Sequence, residues 1–116
     1  MGTIDVATAE LAAELSATKW SILVLDELKS GARRYGEIRR ALPKVSARML
    51  TYTLRRLEKD GLVVRRAVAG AVPHVEYRLT PLGGSLLAPM RTLCKWAQAH
   101  RKDIAAARKR QPGAKR

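Results

Sequence analysis

The chain has 116 residues, 47% of them hydrophobic, so it is long enough for one small domain but not for several. Its 23 Lys and Arg residues outnumber its 10 Asp and Glu residues, and the net charge of +13 indicates a polyanionic partner, either nucleic acid or an acidic membrane surface. The lone cysteine, Cys94, excludes an intrachain disulfide, and no apolar run approaches the roughly 18 residues of a membrane span, so we expect a cytoplasmic protein with no membrane partner.

The positive charge is unevenly distributed along the chain. Residues 1–30 carry a net charge of −3, residues 31–60 carry +6, residues 61–100 carry +4 and residues 101–116 carry +6. We therefore expect the polyanion to contact residues 31–66 and the C-terminal tail rather than the N-terminal segment.

Two helices are predicted in the N-terminal part of the chain. Residues 5–15 have a narrow apolar stripe that includes Leu11 and Leu15, so this helix needs another surface to pack against. A second helix is expected between an N-cap at Thr18 and a left-handed residue at Gly31. It is apolar nearly all round, which is typical of a helix at the centre of a core.

Two further helices, joined by a short connection, are predicted next. A short helix over residues 35–42 ends before Pro43, because a residue that precedes proline is disfavoured in helical space. Ser46 is a good N-cap for a longer helix over residues 47–60. This arrangement predicts a helix-turn-helix. The inward stripe of the longer helix consists of Leu50, Leu54 and Leu57.

The hydrophobic period then changes from helical to extended. Residues 62–68 and 74–79 are rich in β-branched residues, and residues 69–73 contain Gly and Pro, so we expect a hairpin with a longish loop.

A long C-terminal helix is predicted over residues 81–100, with Thr80 as its N-cap and Pro89 as a kink. We expect the Arg/Lys/Ala-rich sequence from Arg101 onwards to fray. The apolar stripe of the helix consists of Leu82, Leu86, Met90, Leu93 and Ala97.

The order of these elements predicts a mainly α fold with a small β-hairpin, namely a winged helix-turn-helix with terminal dimerisation helices. Residues 1–17 are assigned to an N-terminal dimerisation helix and residues 18–80 to the DNA-binding core. Residues 81–107 are assigned to a C-terminal dimerisation helix and residues 108–116 to a basic, flexible tail.

The outer face of the predicted helix 47–60 carries the residue types that read base edges. At about 100° per residue, this face lies opposite the leucine stripe and has no acid before Glu58. Arginine bonds guanine with two hydrogen bonds, and Tyr or Thr can contact a thymine methyl group or a phosphate. A solvated charged face is the alternative. The predicted recognition residues are Arg48, Thr51, Tyr52, Arg55, Arg56 and Lys59.

Cations around this helix are predicted to contact the DNA backbone. Arg34 and Lys44 would lie beside the groove, and Ser46 with the first amides of the helix can hold a phosphate. Arginines on a wing commonly enter the minor groove or bind phosphate, but neighbours on a strand point to opposite faces. The predicted wing residues are Arg65, Arg66, His74 and Arg78.

Several motifs together resemble the HxlR-type transcriptional regulators, from about Lys19 to His100. The resemblance implies a MarR-like winged-helix homodimer that binds a pseudo-palindromic operator in double-stranded DNA and responds to a chemical signal. The motifs are Lys19-Trp20, Arg34-Tyr35-Gly36-Glu37-Ile38, Ser46-Ala47-Arg48-Met49-Leu50-Thr51, Leu54-Arg55-Arg56-Leu57-Glu58, Asp60-Gly61-Leu62-Val63, Val75-Glu76-Tyr77 and Leu79-Thr80-Pro81-Leu82-Gly83.

The chain departs from this family pattern at one point. Many members carry a cysteine shortly before the Lys-Trp pair, and some sense oxidants through it, whereas residues 9–18 contain no cysteine here. The thiol switch is therefore not carried over. We interpret Cys94, on the flank of an apolar helix, as a small buried hydrophobic residue.

The terminal helices supply the predicted dimer interface, with coverage of the chain's own core as the alternative. The predicted dimerisation residues are Leu11, Leu15, Leu82, Leu86, Met90, Leu93, Trp96 and Ala97. An unknown small-molecule effector is expected between these helices, and ordinary core packing is the alternative there. The residues predicted to line that effector pocket are Trp20, Tyr77, Met90 and Trp96.

Two other classes of function differ from a sequence-specific regulator in how they would use these residues. A nonspecific architectural nucleic-acid-binding protein would use the same charge without a preferred sequence. An enzyme is disfavoured because the two histidines, His74 and His100, lie in the predicted wing and near the tail, with no catalytic, metal-binding or cofactor motif around them.

Overall fold

The computed structural model describes residues 4–15 and 19–110, and within them it contains six helices and one three-stranded sheet. The predicted fold class, mainly α with a small hairpin in a winged helix-turn-helix, is confirmed. Thr18, the predicted N-cap, lies outside the described residues. The elements are α1 (Val6–Leu15), α2 (Lys19–Glu27), β1 (Arg33–Arg34), α3 (Tyr35–Ala41), α4 (Ala47–Lys59), β2 (Val63–Val68), β3 (His74–Leu79), α5 (Pro81–Ala99) and α6 (Arg101–Lys109).

The core lies between α2, α3, α4 and the start of the hairpin. Although α2 is apolar nearly all round, it buries only one face, and Leu23 on the other face is 38% exposed. Gly31, beyond the end of α2, has a positive φ of 139°. The buried core side chains are Val24, Leu25, Leu28, Ile38, Val45, Leu50, Leu54, Leu57, Leu62 and Val63.

Local hydrogen bonds determine where α3 and α4 begin. The carboxylate of Glu37 accepts the backbone N–H of Arg34 at 2.8 Å, which satisfies a free amide at the start of α3. This hydrogen bond is the main reason that the pKa of Glu37 is lowered, and nearby arginines lower it further. The hydroxyl of Ser46 accepts the backbone N–H of Met49 at 3.0 Å, so the predicted N-cap of α4 is confirmed.

The sheet contains one strand that the sequence did not predict. The two residues of β1 pair antiparallel with β3, Arg33 opposite Tyr77 and Arg34 opposite Glu76, and the strand order is β1-β3-β2. The hairpin of β2 and β3 was predicted and is confirmed. β1 therefore ties the start of α3 to the inner strand of the wing.

Alternation along the strands gives the sheet two different faces. Val63 is buried, and Tyr77 and Leu79 pack against the core. The odd-numbered residues of β2 and β3 therefore face the helices. We call the opposite side the outer sheet face. It carries Arg34, Val64, Arg66, Val68, His74, Glu76 and Arg78.

The C-terminal part of the chain forms two helices rather than a helix and a frayed segment. α5 begins at the predicted cap, where the hydroxyl of Thr80 accepts the N–H of Gly83 at 3.0 Å, and it continues through Pro89. His100, with φ −111° and ψ 12°, separates α5 from α6. The expected fraying from Arg101 is therefore wrong for residues 101–109, whose Ala, Arg and Lys residues are good helix formers.

The molecule is more elongated than a compact domain of its length. Its principal extents are 60 × 36 × 23 Å and its radius of gyration is 17.2 Å, against about 13 Å for a compact chain of this length. Among the described residues, no helix combines the length and the apolar character that crossing a bilayer requires.

Candidate nucleic-acid interface

The outer face of α4 is open to solvent along its whole length. Leu50, Leu54 and Leu57 are at most 2% exposed on the inner side, whereas Tyr52 is 53% exposed on the outer side. The helix is therefore held by its leucines and presents its cationic side as a free surface. The other exposed side chains of this face are Arg48, Arg55, Arg56 and Lys59.

Thr51 differs from its neighbours because it is half-buried and already hydrogen-bonded. The hydroxyl of Tyr35 donates to the carbonyl of Ala47 at 3.0 Å and lies 3.3 Å from Oγ1 of Thr51. Since the single hydroxyl proton of Tyr35 is used by the carbonyl, Thr51 is the donor between the two hydroxyls. Tyr35 thus links the first turn of α3 to the first two turns of α4.

Arg56 also has partners within its own helix. Its Nε atom lies 3.6 Å from Oδ2 of Asp60, and the Tyr52 hydroxyl, followed by Asp60, raises the pKa of the guanidinium. Both contacts are at the surface, where ion pairs are weak. Arg56 is therefore partly satisfied by α4 itself, and the predicted contact with a ligand would compete with Asp60.

Two adjoining depressions connect α4 with the sheet. One, of about 360 Å³, lies between α4 and the helix-facing side of the sheet, and its wall includes Arg55, Glu58 and Arg65. The other, of about 450 Å³, follows the start of α4 along Arg48 and Tyr52. Arg55 lines both, so it lies where the exposed face of α4 meets the wing.

The wing cations are divided between the two faces of the sheet. Arg65 is on the side of Tyr77 and faces α4, whereas Arg66 is on the side of Glu76. The prediction that these two neighbours point in opposite directions agrees with this register. Arg78 lies on the outer sheet face and is exposed.

His74, at the start of β3, has a hydrogen-bond partner on each ring nitrogen. Nδ1 lies 3.0 Å from the carbonyl oxygen of Val72, and Nε2 lies 2.9 Å from Oε2 of Glu76. These two contacts, the Val72 carbonyl foremost, raise the pKa of His74, while burial and the charge of Arg34 lower it to a smaller extent. Glu76 was not among the predicted site residues, although its alternation with His74 in the strand places both on one face.

The predicted backbone contacts of the helix-turn-helix lie at its ends. Lys44 is exposed in the connection between α3 and α4, and Ser46 is exposed at the start of α4. Arg34 is exposed and sits opposite Glu76 in the sheet register. Lys44 and Ser46 lie beside the N-terminal end of α4, where unpaired amides favour anions, whereas Arg34 lies on the outer sheet face.

The predicted dimerisation residues separate into two groups. Leu86 and Met90 pack against the chain's own core, which was the alternative interpretation. The side chain of Leu15 lies outside the described residues. The exposed members are Leu11, Leu82, Leu93, Trp96 and Ala97.

The residues predicted to line an effector pocket do not share one environment. Trp20, Tyr77 and Met90 pack against the core cluster, whereas Trp96 is 53% exposed and stacks on His100, with ring centroids 4.5 Å apart.

Cys94 is exposed, so the prediction of a buried residue is wrong for the single chain. The apolar stripe of α5 covers the core only along its first half, and Cys94 lies in the second half, beyond the reach of α2 and the sheet. Among residues 4–15 and 19–110, no group of His, Cys, Asp and Glu is arranged to hold a metal ion.

Comparison with known proteins links this geometry to a group of regulators. The sequence model of the HxlR-like helix-turn-helix family matches residues 15–105. An HTH-type transcriptional regulator of Methanothermobacter thermautotrophicus (strain Delta H) is 42% identical over 93 residues, which cover 80% of this chain and 71% of the relative. A solved structure of a MarR-family transcriptional regulator from Enterococcus faecalis V583 aligns with a TM-score of 0.75 and 39% identity, over 91% of this chain and 96% of that one. The redox regulator HypR in its reduced form aligns with a TM-score of 0.76 and 32% identity, over 84% and 97% of the two chains.

Proposed function

This chain belongs to the HxlR-like helix-turn-helix family and is a transcriptional regulator with a DNA-binding fold, and from that premise we propose that it acts as a homodimer on a pseudo-palindromic operator. In this proposal α4 enters the major groove, and the wing of β2 and β3 contacts the minor groove and the DNA backbone. The protein acts in the cytoplasm, where its target DNA lies.

One observation carries the proposal, namely the exposed outer face of α4. Arg48, Tyr52 and Arg55 are directed away from the leucine stripe and are not covered by the rest of the described chain. Two guanidinium groups and a phenol can hydrogen-bond base edges, and α4 carries no carboxylate before Glu58, which lies beside Arg55 at the wing. An ordinary solvated helix face mixes both signs of charge, so this pattern favours contact with nucleic acid.

The surrounding cations are proposed to bind phosphate and so to orient α4. Lys44 and Ser46 lie at the N-terminal end of α4, and Arg34 lies at the neighbouring start of α3. Arg65, beside Arg55, extends this surface onto the wing. Phosphate contacts set the register of a protein on DNA and supply most of its salt-dependent affinity.

A dimer is proposed because both terminal helices carry large apolar side chains that the chain's own core leaves exposed. On α5, Leu93 is 56% exposed and Trp96 is 53% exposed, and Leu82 at the start of this helix is 58% exposed. On α1, Leu11 is 55% exposed. Covering this surface with a second copy removes it from water and places two α4 helices on one side of the duplex, about 34–36 Å apart. We retain residues 1–17 and 81–107 as the proposed dimerisation segments, and residues 108–116 as a basic tail.

An effector is proposed to act through the same helices. A small molecule bound near Trp20, Met90 or Trp96 would favour one spacing of the two recognition helices over another, and only such a difference in affinity can shift their equilibrium. Tyr77, which also belongs to this proposed set, faces α4 from the sheet.

The alternative function is nonspecific, architectural binding of nucleic acid, which the net charge of +13 favours. Measuring affinity for different DNA sequences at different salt concentrations distinguishes the two functions. A regulator retains a large preference for its operator over random duplex at physiological salt, whereas an architectural protein binds both alike.

The proposal is tested by selecting genomic DNA fragments with the purified protein and measuring affinity for the selected site and for a scrambled duplex. We expect Arg55→Ala to lower operator affinity about 5- to 150-fold, the equivalent of 1–3 kcal/mol for one bidentate base contact, and Tyr52→Ala to reduce operator preference as well. Affinity for the scrambled duplex should change much less, because nonspecific binding depends on contacts to phosphate rather than on contacts to base edges.

Arg91→Ala is the matched control, since Arg91 is an exposed arginine on α5, away from α4, and lies 3.8 Å from Asp26. It should leave operator preference unchanged. The assignment of α4 as the recognition helix would be refuted by either of two results. The selected DNA fragments share no common sequence, or both α4 variants keep the operator preference of the unaltered protein.

A further inference from the structure

The end of the wing has one ionisable side chain. Between Arg66 and Glu76 the sequence is Ala, Val, Ala, Gly, Ala, Val, Pro, His and Val, so His74 alone can carry charge there. A change of charge at the tip of the hairpin near neutral pH is therefore a change in the protonation of His74. Imidazole is also the side chain whose ordinary titration falls near neutral pH.

The hydrogen bonds of His74 require its doubly protonated form. The carbonyl oxygen of Val72, 3.0 Å from Nδ1, can only accept a hydrogen bond, and the carboxylate of Glu76, 2.9 Å from Nε2, also only accepts. Both ring nitrogens must therefore donate, which only the imidazolium can do. A neutral imidazole would satisfy one of the two contacts and place a lone pair against the oxygen of the other.

The other charged groups on the outer sheet face surround Glu76. Arg34 on β1 and Arg66 on β2 are its register partners, and Arg78 follows it by two residues on β3. These arginines attract the carboxylate and repel the imidazolium, and Arg34 lowers the pKa of His74 for that reason. The two hydrogen bonds outweigh this repulsion, so the pKa of His74 remains above its ordinary value.

We propose that Glu76 is a positioning residue that holds His74 as an imidazolium at the end of the wing, where its positive charge attracts a DNA phosphate without a direct hydrogen bond, so that affinity for DNA falls as the pH rises through the titration of His74. This inference rests on the proposed function, because it assigns a role to the wing in DNA binding. Glu76 itself does not touch DNA. It acts by fixing the protonation state and the orientation of its neighbour and by anchoring the loop of residues 69–73 through Val72.

The direction of the pH dependence follows from the charge that His74 loses. A cation near a phosphate is stabilised in its protonated form by the DNA, so the complex is favoured at low pH and this contribution is lost as the pH rises through the titration of His74. Deprotonation removes one positive charge from each wing and breaks one of the two hydrogen bonds of His74. Both changes weaken binding to phosphate in alkaline solution.

The first experiment measures affinity and its salt dependence for the selected operator and for a scrambled duplex at about pH 6 and about pH 8.5, on either side of histidine titration. In the unaltered protein we expect the log–log salt slope to be smaller by about 0.9 per protomer at the higher pH, and affinity to be roughly threefold lower per wing. His74→Gln should show the weaker binding at both pH values, and His74→Lys should show little pH dependence.

His100→Gln is the matched control, because His100 is the only other histidine in the chain and lies at the junction of α5 and α6. It should retain the full pH dependence. If His100→Gln abolishes the pH dependence and His74→Gln does not, the assignment to the wing is wrong.

The second experiment follows the two imidazole rings by NMR titration in the absence of DNA. Glu76→Gln should lower the pKa of His74 and move the midpoint of DNA affinity to lower pH, whereas Glu76→Asp should restore part of the shift. A purely structural role of Glu76 would reduce affinity equally at every pH and leave the His74 titration unchanged, and that result would overturn the proposal.

The two experiments also separate this inference from the proposed function. If the protein shows no preference for any duplex but Glu76→Gln still lowers the pKa of His74, the positioning role of Glu76 is supported and specific operator binding is refuted. If operator binding is confirmed but does not vary with His74, the proposed function stands and the role of Glu76 fails.

Discussion

Tyr35 shows how a single hydroxyl group can determine the geometry of the helix-turn-helix. The sequence places Tyr35 on the apolar stripe of the short helix, which correctly indicates that its ring packs inward. Periodicity says nothing about the hydroxyl, which bonds Ala47 and Thr51 on α4. Because a hydrogen bond of this kind depends on how two helices meet, the sequence alone could not reveal it.

The variant Tyr35→Phe removes the bonds from α3 to α4 while the ring remains in place. We expect a free energy of unfolding lower by about 1 kcal/mol and weaker operator binding, because α4 is less firmly oriented. Denaturant unfolding of a double-mutant cycle with Thr51→Ala tests this. Energies that simply add would contradict a direct interaction between the two hydroxyls, since bonded neighbours are not independent.

Most residues of the candidate interface could be predicted because they follow from the helical period. The leucine stripe fixes which side of α4 is inward, and Arg48, Tyr52 and Arg55 then fall on the outer side. Contacts between side chains could not be predicted in the same way. The neighbours of Glu76 depend on the register between strands, and the ion pair of Arg56 with Asp60 depends on the side-chain rotamer of Arg56.

At the scale of elements, Gly83 explains how α5 approaches the sheet so closely. Gly83 is buried, and a Cβ atom added to it would overlap the carbonyl group of Leu62. The same carbonyl accepts the N–H of Thr80 at 3.1 Å, so the start of α5 is held directly against the start of β2. The adjacent Gly84 has open space around the corresponding position.

We therefore expect Gly83→Ala and Gly84→Ala to have opposite effects on stability. Gly83→Ala forces backbone to move and should lower the free energy of unfolding by roughly 1–3 kcal/mol. Gly84→Ala adds a better helix former without a clash and should raise it by up to about 1 kcal/mol. Thermal or denaturant unfolding measures both. Equal changes in the two variants would mean that helix propensity, not packing, governs this turn.

The elements that were predicted have a clear period, and those that were missed do not. α2, α4 and the hairpin follow from leucine spacing and from β-branched alternation. β1 has two residues, which is too short to show alternation and forms only because β3 offers an open edge. α6 lacks a broad apolar stripe, and only Ile104 and Ala107 within it are partly buried, so its helical propensity was the one signal of its presence.

At the scale of the whole molecule, the elongated shape follows from α5 and α6 extending beyond the core. A single chain leaves Leu93 and Trp96 in water at this end, next to the stacked ring of His100. Exposed apolar surface of this kind marks an interaction site. The sequence predicted the stripe on this helix but could not divide it between the chain's own core and a partner, because that division depends on where the core ends.

Leu93→Glu tests the proposed dimer. A carboxylate buried in an apolar interface is costly, so we expect this variant to sediment as a monomer and to bind its operator much more weakly, while its circular dichroism spectrum is unchanged. Val72→Glu is the control for the oligomeric state alone, since Val72 is an apolar residue, 68% exposed, on the wing loop rather than on a terminal helix. A Leu93→Glu variant that remains dimeric by analytical ultracentrifugation would place the interface elsewhere.

The exposed Cys94 is a site for chemical labelling in the same region. Because the chain has no other thiol, a maleimide or nitroxide reagent attaches at one known position on each protomer. Its neighbours along α5 are Leu93 and Trp96, so the rate of alkylation reports whether a second subunit shields that helix. In a symmetric pair the two labels yield a single distance by electron paramagnetic resonance, which turns any effector-dependent rearrangement into a measurable length.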